Sequence, residues 1–221
     1  MLSSIAWNPL TLTKRARTRR TLPLKREPER ASRNRMASER AGLKVQAIGS
    51  PAADFALEDL AGATHHLGTE IAGRKAAVVV FWSGVCSHCN RYDEYLNSFA
   101  DRHPDLPLLA VASRQQETPD MLRRTVTGRG LRFPILLDPG GAVARQWATE
   151  QTPRAFLLGG DLAIRYRGAI DNFQFPGTPD YEEYLEPAIA DFLAGRPIAQ
   201  PDMPSFGCAI QSVYYQLPNI L

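Results

Sequence analysis

The sequence predicts an α/β layer fold. Three observations carry the prediction: apolar runs alternate with amphipathic stretches from about Gly49 onward, the run Ala76 to Trp82 ends just before two closely spaced cysteines, and 44% of the 221 residues are hydrophobic. That is ample for one core-forming domain with tails. Ala76-Ala77-Val78-Val79-Val80-Phe81-Trp82 reads as a buried strand, and Tyr92, Tyr95, Leu96 and Phe99 follow at helical spacing. Leu106 to Ala112 reads as a second buried strand. Thr118-Pro119-Asp120 starts a helix, with a capping hydroxyl, a proline at the first helical position and an acid in the first turn. Phe133 to Leu137 is a further strand, ending at Asp138-Pro139-Gly140-Gly141, and Val143, Ala144 and Trp147 mark a short helix. Ala155 to Leu158 and Leu162 to Tyr166, separated by Gly159-Gly160-Asp161, read as a hairpin. Tyr181, Tyr184, Leu185, Ala188, Ile189 and Phe192 give a helical stripe that stops at Gly195. Pro197, Pro201 and Pro204 then impose an extended tail. The expected organisation is a basic extension over residues 1–45, a domain over 46–198 and a tail over 199–221.

The formal charge of +3 hides a division, because residues 1–45 carry twelve Lys/Arg against three Glu, a net of +9 that leaves −6 for the remainder. This basic segment lacks apolar periodicity and reads as disordered. Thr18-Arg19-Arg20 superficially suggests a twin-arginine export signal, but no hydrophobic stretch follows it. The first 26 residues, Arg-containing and free of acids, fit a mitochondrial-type presequence; Met36 fits equally well as a start. No aromatic residues interleave the arginines, so nucleic-acid binding is not expected. No run approaches the ~18 apolar residues of a membrane span. The expectation is a soluble, cytoplasmic protein.

Cys86-Ser87-His88-Cys89 lies between the strand and the helical stretch, an arrangement that favours dithiol–disulfide chemistry. At the first turn of a helix, unpaired N–H groups stabilise a thiolate, so Cys86 is expected to titrate below the free value of ~8.5 and act as nucleophile. Cys89, one turn on and on the same face, is placed to attack a mixed disulfide on Cys86. Plainer readings exist. Two small buried hydrophobes would look the same. Half of a zinc site would need distant Cys208 and a histidine, and the other close pair of ligand residues is His65-His66. A static disulfide closing so short a loop would remove little unfolded-state entropy. No metal and no cofactor are expected. His88 can bring positive charge or a donor to Cys86, or can simply stand exposed. His65-His66 is expected to border a turn, and His103, before Pro104, to end a helix.

Together these residues resemble the thioredoxin superfamily, more narrowly the redoxin branch shared by peroxiredoxin-like proteins and thioredoxin-like thiol:disulfide oxidoreductases. The resemblance runs from about Gly49 to Ile210 and implies a thioredoxin-like fold, a central mixed sheet flanked by helices. Pro51-Ala52-Ala53-Asp54-Phe55 looks like the opening strand of the branch, Phe81 to Cys86 like its pre-cysteine segment, and Thr152-Pro153-Arg154-Ala155-Phe156 like the motif holding its cis-proline. If Pro153 is cis, the Thr152 backbone can be left free to pair with an extended substrate. One departure concerns proton transfer: thioredoxins place an acid two residues before the tryptophan, and Val80 stands here. Asp93, Glu94, Asp138 and Glu150 are the alternative acids.

The expected function is thiol:disulfide exchange with a protein or small-molecule disulfide or thiol, reset by an external thiol reductant or oxidant, with Trp82 packing beside the site. The alternative is a peroxiredoxin-like antioxidant peroxidase. Ser83 matches the hydroxyl position of the peroxidase motif, but Val79 replaces its proline and Pro153 its arginine, for which Arg154 is the nearest substitute. A third reading is a copper-handling chaperone, for which no motif places a third ligand. Cys208, next to Gly207 on a tail long enough to return over the domain, is a candidate auxiliary resolving thiol.

Overall fold

A computed structural model describes residues 46–173 and 180–210. The expectations for the basic extension, Met36 and the end of the tail lie outside the described residues. Five strands form the central sheet: β3 (Ala76–Trp82), β4 (Leu108–Ala112), β5 (Ile135–Leu137), β7 (Arg154–Gly159) and β8 (Ile164–Gly168). Their order is β5-β4-β3-β7-β8. β3, β4 and β5 are parallel, whereas β7 and β8 run antiparallel, which makes the sheet mixed and thioredoxin-like. A small antiparallel pair, β1 (Ala56–Glu58) with β2 (Thr64–His66), precedes it.

β3 is central because all seven of its side chains are apolar. Each is fully buried, and alternate residues face opposite layers. Ala76, Val78, Val80 and Trp82 face a core shared with Tyr92, Phe99, Leu122 and Ile189, while Ala77, Val79 and Phe81 face one shared with Phe55, Ile71 and Trp147. The helices are α1 (Leu67–Ile71), α2 (Ser87–Asn90), α3 (Asp93–Asn97), α4 (Phe99–Arg102), α5 (Pro119–Arg129), α6 (Ala142–Gln146) and α7 (Leu185–Leu193). α5 begins as expected: Thr118 accepts a hydrogen bond from the Met121 N–H at 3.2 Å, and Pro119 opens the helix. The β7–β8 turn passes Gly160 close to the Arg74 carbonyl, where a Cβ would stand 2.4 Å from the oxygen.

Three expectations are corrected, and the extended tail is found to return over the domain. The helical stretch after the cysteines is three short helices. Tyr92 breaks it, with its hydroxyl fixed 2.5 Å from buried Asp171. The stripe starting at Tyr181 becomes helical only at Leu185, because Glu182 O accepts the Asn172 N–H and the Tyr184 N–H donates to Ile170 O, tying this segment to residues 170–172. Of residues 51–55 only Pro51 pairs, as an isolated antiparallel bridge to Ala163, and the first strand starts at Ala56, with His65 inside β2 bound to Glu70 at 2.8 Å and Asp59 at 3.3 Å. The chain after 199 is extended but docked: the Met203 N–H donates to Arg167 O, and Ile210 is 2% exposed in the second core.

Candidate active site

Because β3 and β4 are parallel, their C-terminal ends meet at one edge of the sheet, and the loops that follow converge there. The first carries the cysteines. Cys86 precedes α2 with extended backbone (φ −85°, ψ 114°), and Cys89 lies within that helix; both are fully buried on the Trp82 side of the sheet. The Thr152–Pro153 bond, cis, leads from β6 (Gln151–Thr152) into β7. It brings the Thr152 carbonyl to the Cys86 thiol, which donates to it at 3.2 Å.

The two sulfurs are driven in opposite directions. The Cys86 thiol is pulled down to about 4, first by the hydrogen bond from the Cys89 thiol and then, against the cost of burial, by Cys208 and Thr152. Cys89 is pushed well up, first by burial and then by the neighbouring Cys86 thiolate. Sequence reasoning credited the helix end. Neighbouring donors supply the lowering here, and the helix that follows Cys86 has only four residues. Cys208 is raised by burial and by Cys86.

Cys208 begins β9 (Cys208–Ala209), which pairs antiparallel with β6, Cys208 opposite Thr152 and Ala209 opposite Gln151. The Thr152 backbone is therefore not free, contrary to expectation. His88 does not turn to the sulfurs but packs edge-on against Phe206 of the tail, ring centres 4.9 Å apart. Trp82 is a core residue below the site, edge-on to Phe133 at 5.9 Å with the Arg129 guanidinium over its ring. Ser83 is fully buried, its Oγ lacking a partner, and Arg154 reaches Ser205 at 3.3 Å. The Ser83 carbonyl accepts the Cys86 N–H at 3.3 Å, but neither the Ser83 hydroxyl nor the Arg154 guanidinium hydrogen-bonds the Cys86 sulfur among the described residues.

No hydrogen bond joins any of the four alternative acids to Cys89 among the described residues. Asp93 is paired with Arg129, Glu94 and Glu150 are exposed, and Asp138 caps α6. The carboxyl that does border the site is Glu117, on the β4–α5 loop. It accepts the Val85 N–H at 3.1 Å, and burial raises its pKa. Arg114 on the same loop sets its charge near Cys208. Sequence reasoning missed both. Their signal was topological: a polar loop directly following the parallel strand beside β3. Among the described residues no group of three His, Cys, Asp or Glu side chains could hold a metal ion, and no helix is long and apolar enough to cross a membrane.

Comparison with known proteins agrees with this geometry. A thiol-disulfide oxidoreductase, ResA, of Bacillus thuringiensis is 26% identical over 140 residues, 63% of this chain and 77% of that protein. A crystal structure of a hypothetical protein from Sinorhizobium meliloti superposes with a TM-score of 0.67 at 28% identity, covering 76% of this chain and 95% of the other. An uncharacterized conserved protein from Geobacillus kaustophilus gives 0.68 at 25% identity, over 75% and 92%. The AhpC/TSA family pattern matches residues 48–168, more than half of the sequence, and the chain belongs to the AhpC/TSA family.

Proposed function

We propose that this chain is a thiol:disulfide oxidoreductase in which Cys86 attacks and Cys89 resolves. The observation that carries the reading is geometric: two buried cysteines three residues apart follow β3, and Cys86 Sγ lies 3.2 Å from the carbonyl of Thr152, which precedes the cis-proline. The neighbouring donors that lower the Cys86 pKa and the burial that raises that of Cys89 fit these roles. The Cys86 thiolate attacks one sulfur of a substrate disulfide, forming a mixed disulfide and releasing the other sulfur as a thiolate. Cys89 then gives up its proton and attacks Cys86 Sγ, closing a Cys86–Cys89 disulfide and expelling the second substrate thiolate. The substrate gains two electrons and the protein loses two; an external thiol reverses the change. The substrate class is a protein or small-molecule disulfide or thiol. Supporting the reading are the ResA relative, named as a thiol-disulfide oxidoreductase, and the side chains of Ser83 and Arg154, of which the first makes no hydrogen bond to the Cys86 sulfur among the described residues and the second reaches Ser205 instead. Polarising a peroxide O–O bond needs fixed donors at the reacting sulfur.

The test is trapping. Reduced Cys89→Ser protein, offered a peptide disulfide, should accumulate a mixed disulfide on Cys86, and Cys86→Ser protein should accumulate none. Equal trapping through Cys89 in the Cys86→Ser protein would falsify the assignment.

A further inference from the structure

The strand beside the nucleophile belongs to the chain itself. β9 lies antiparallel to β6 with Cys208 opposite Thr152, the residue whose carbonyl takes the Cys86 thiol. The Ile210 N–H donates to Glu150 O at 2.9 Å, and the Thr152 hydroxyl donates to Cys208 O at 3.4 Å. Buried Ile210 anchors one end of this strand, while Phe206 on His88 holds the other. Gly207 lets the two backbones meet, since a Cβ there would stand 1.9 Å from the Thr152 oxygen. An extended cysteine-bearing peptide added to an open backbone edge beside a thiolate is what a docked protein substrate would present.

We propose that Gly207–Ile210 is a built-in substrate mimic and that Cys208 is a third redox-active thiol, forming a Cys86–Cys208 disulfide between the substrate mixed disulfide and the Cys86–Cys89 disulfide. The proposal rests on the exchange reading above. The steps balance. With glutathione disulfide as oxidant, the Cys86 thiolate attacks one sulfur, binding one glutathione and releasing the other as a thiolate. Cys208 loses its proton to solvent and attacks Cys86 Sγ, joining Cys86 to Cys208 and expelling the second glutathione thiolate. In the intact protein Cys89 then attacks Cys86 Sγ and returns Cys208 as a thiolate. Cys208 stands opposite Thr152 in the β6–β9 pair, and the Thr152 carbonyl lies 3.2 Å from Cys86 Sγ, which brings Cys208 to the Cys86 end of the site. Cys208 is among the groups that lower the Cys86 pKa.

The experiment treats reduced Cys89→Ser protein with glutathione disulfide and follows intact mass and disulfide-linked peptides. The expected product is a monomer lighter by two hydrogens, with Cys86 joined to Cys208. Its glutathione adduct should be lost at least about tenfold faster than in the Cys89→Ser/Cys208→Ser protein, because a tethered thiol acts at high effective concentration. A lasting adduct on Cys86 with Cys208 still open to alkylation overturns the proposal and leaves the exchange reading standing. Dimers joined through Cys86 and Cys208 overturn the intramolecular geometry. Absence of any reaction at Cys86 removes both readings. Should Cys89→Ser not fold, unaltered protein quenched with acid during oxidation decides the matter: a transient Cys86–Cys208 peptide before Cys86–Cys89 is expected, and direct appearance of Cys86–Cys89 overturns the proposal.

Discussion

Cys208 faces Thr152 across an antiparallel pair, and Thr152 in turn accepts the Cys86 thiol at 3.2 Å, so one residue of the proline loop touches both a buried thiol and the chain's own tail. The pairing depends on a missing side chain. At Gly207 a Cβ would lie 1.9 Å from the Thr152 oxygen and 2.7 Å from its carbonyl carbon, both backbone atoms that cannot swing aside.

Gly207→Ala is therefore expected to lift β9 off β6 while leaving the five-stranded sheet intact, since β9 is not part of that sheet. Alkylation of Cys208 in the reduced variant should speed up by about tenfold or more, because an opened thiol no longer waits for local unfolding. Timed alkylation read by peptide mass spectrometry checks this. An unchanged rate at Cys208 would mean that the strand is not held by the close backbone approach.

The Cys86 thiol, pulled down to about 4 first by the Cys89 thiol and then by the Cys208 thiol and the Thr152 hydroxyl, fixes a pH dependence. Its folded value lies below that of the unfolded chain, so the thiolate is present above about pH 4 and is lost only as pH falls through that value. Iodoacetamide modification of Cys86 should stay nearly flat from pH 5.5 to 8, whereas a free thiol changes about tenfold per unit below its pKa of ~8.5. Cys89→Ala removes the first-named donor and should move the midpoint upward. A Cys86 profile that still rises tenfold per unit across this range would show that the donors do not hold the thiolate.

What the sequence made legible was local. The apolar run 76–82 and the Thr118-Pro119 helix start declare themselves through side chains within a few residues, and both stand where they were expected. The thiol spacing placed Cys86 and Cys89 correctly at the strand end for the same reason. What was not legible depends on partners far along the chain. Asp171 binds Tyr92 where one helical pattern is interrupted, and backbone bonds from residues 170–172 to Glu182 and Tyr184 delay another. The tail prolines announced extension, but only Gly207 seated on Thr152 turns that extension into a strand at the site. Glu117 and Arg114 gave no pattern at all, because a loop's role depends on which strand precedes it and what lies beside that strand.

The remaining acid that the sequence offered for proton transfer, Asp138, is held to a different task. It is 2% exposed; its carboxylate takes the Val143 N–H at 3.1 Å, the Ala144 N–H at 3.0 Å and the Ser113 hydroxyl at 2.7 Å. Those bonds tie the end of β5 to the start of α6 and to the residue after β4. Replacing the carboxylate leaves buried donors unpaired, so Asp138→Ala is expected to lower stability by about 2–4 kcal/mol. Exchange per folded molecule, measured below the melting transition with a peptide disulfide, should change by less than about twofold, within the ~0.4 kcal/mol that such a ratio represents. The pairing of the two measurements distinguishes a structural carboxylate from a proton acceptor. A large loss of exchange with unchanged melting would return Asp138 to the reaction and displace the capping role argued from its three bonds.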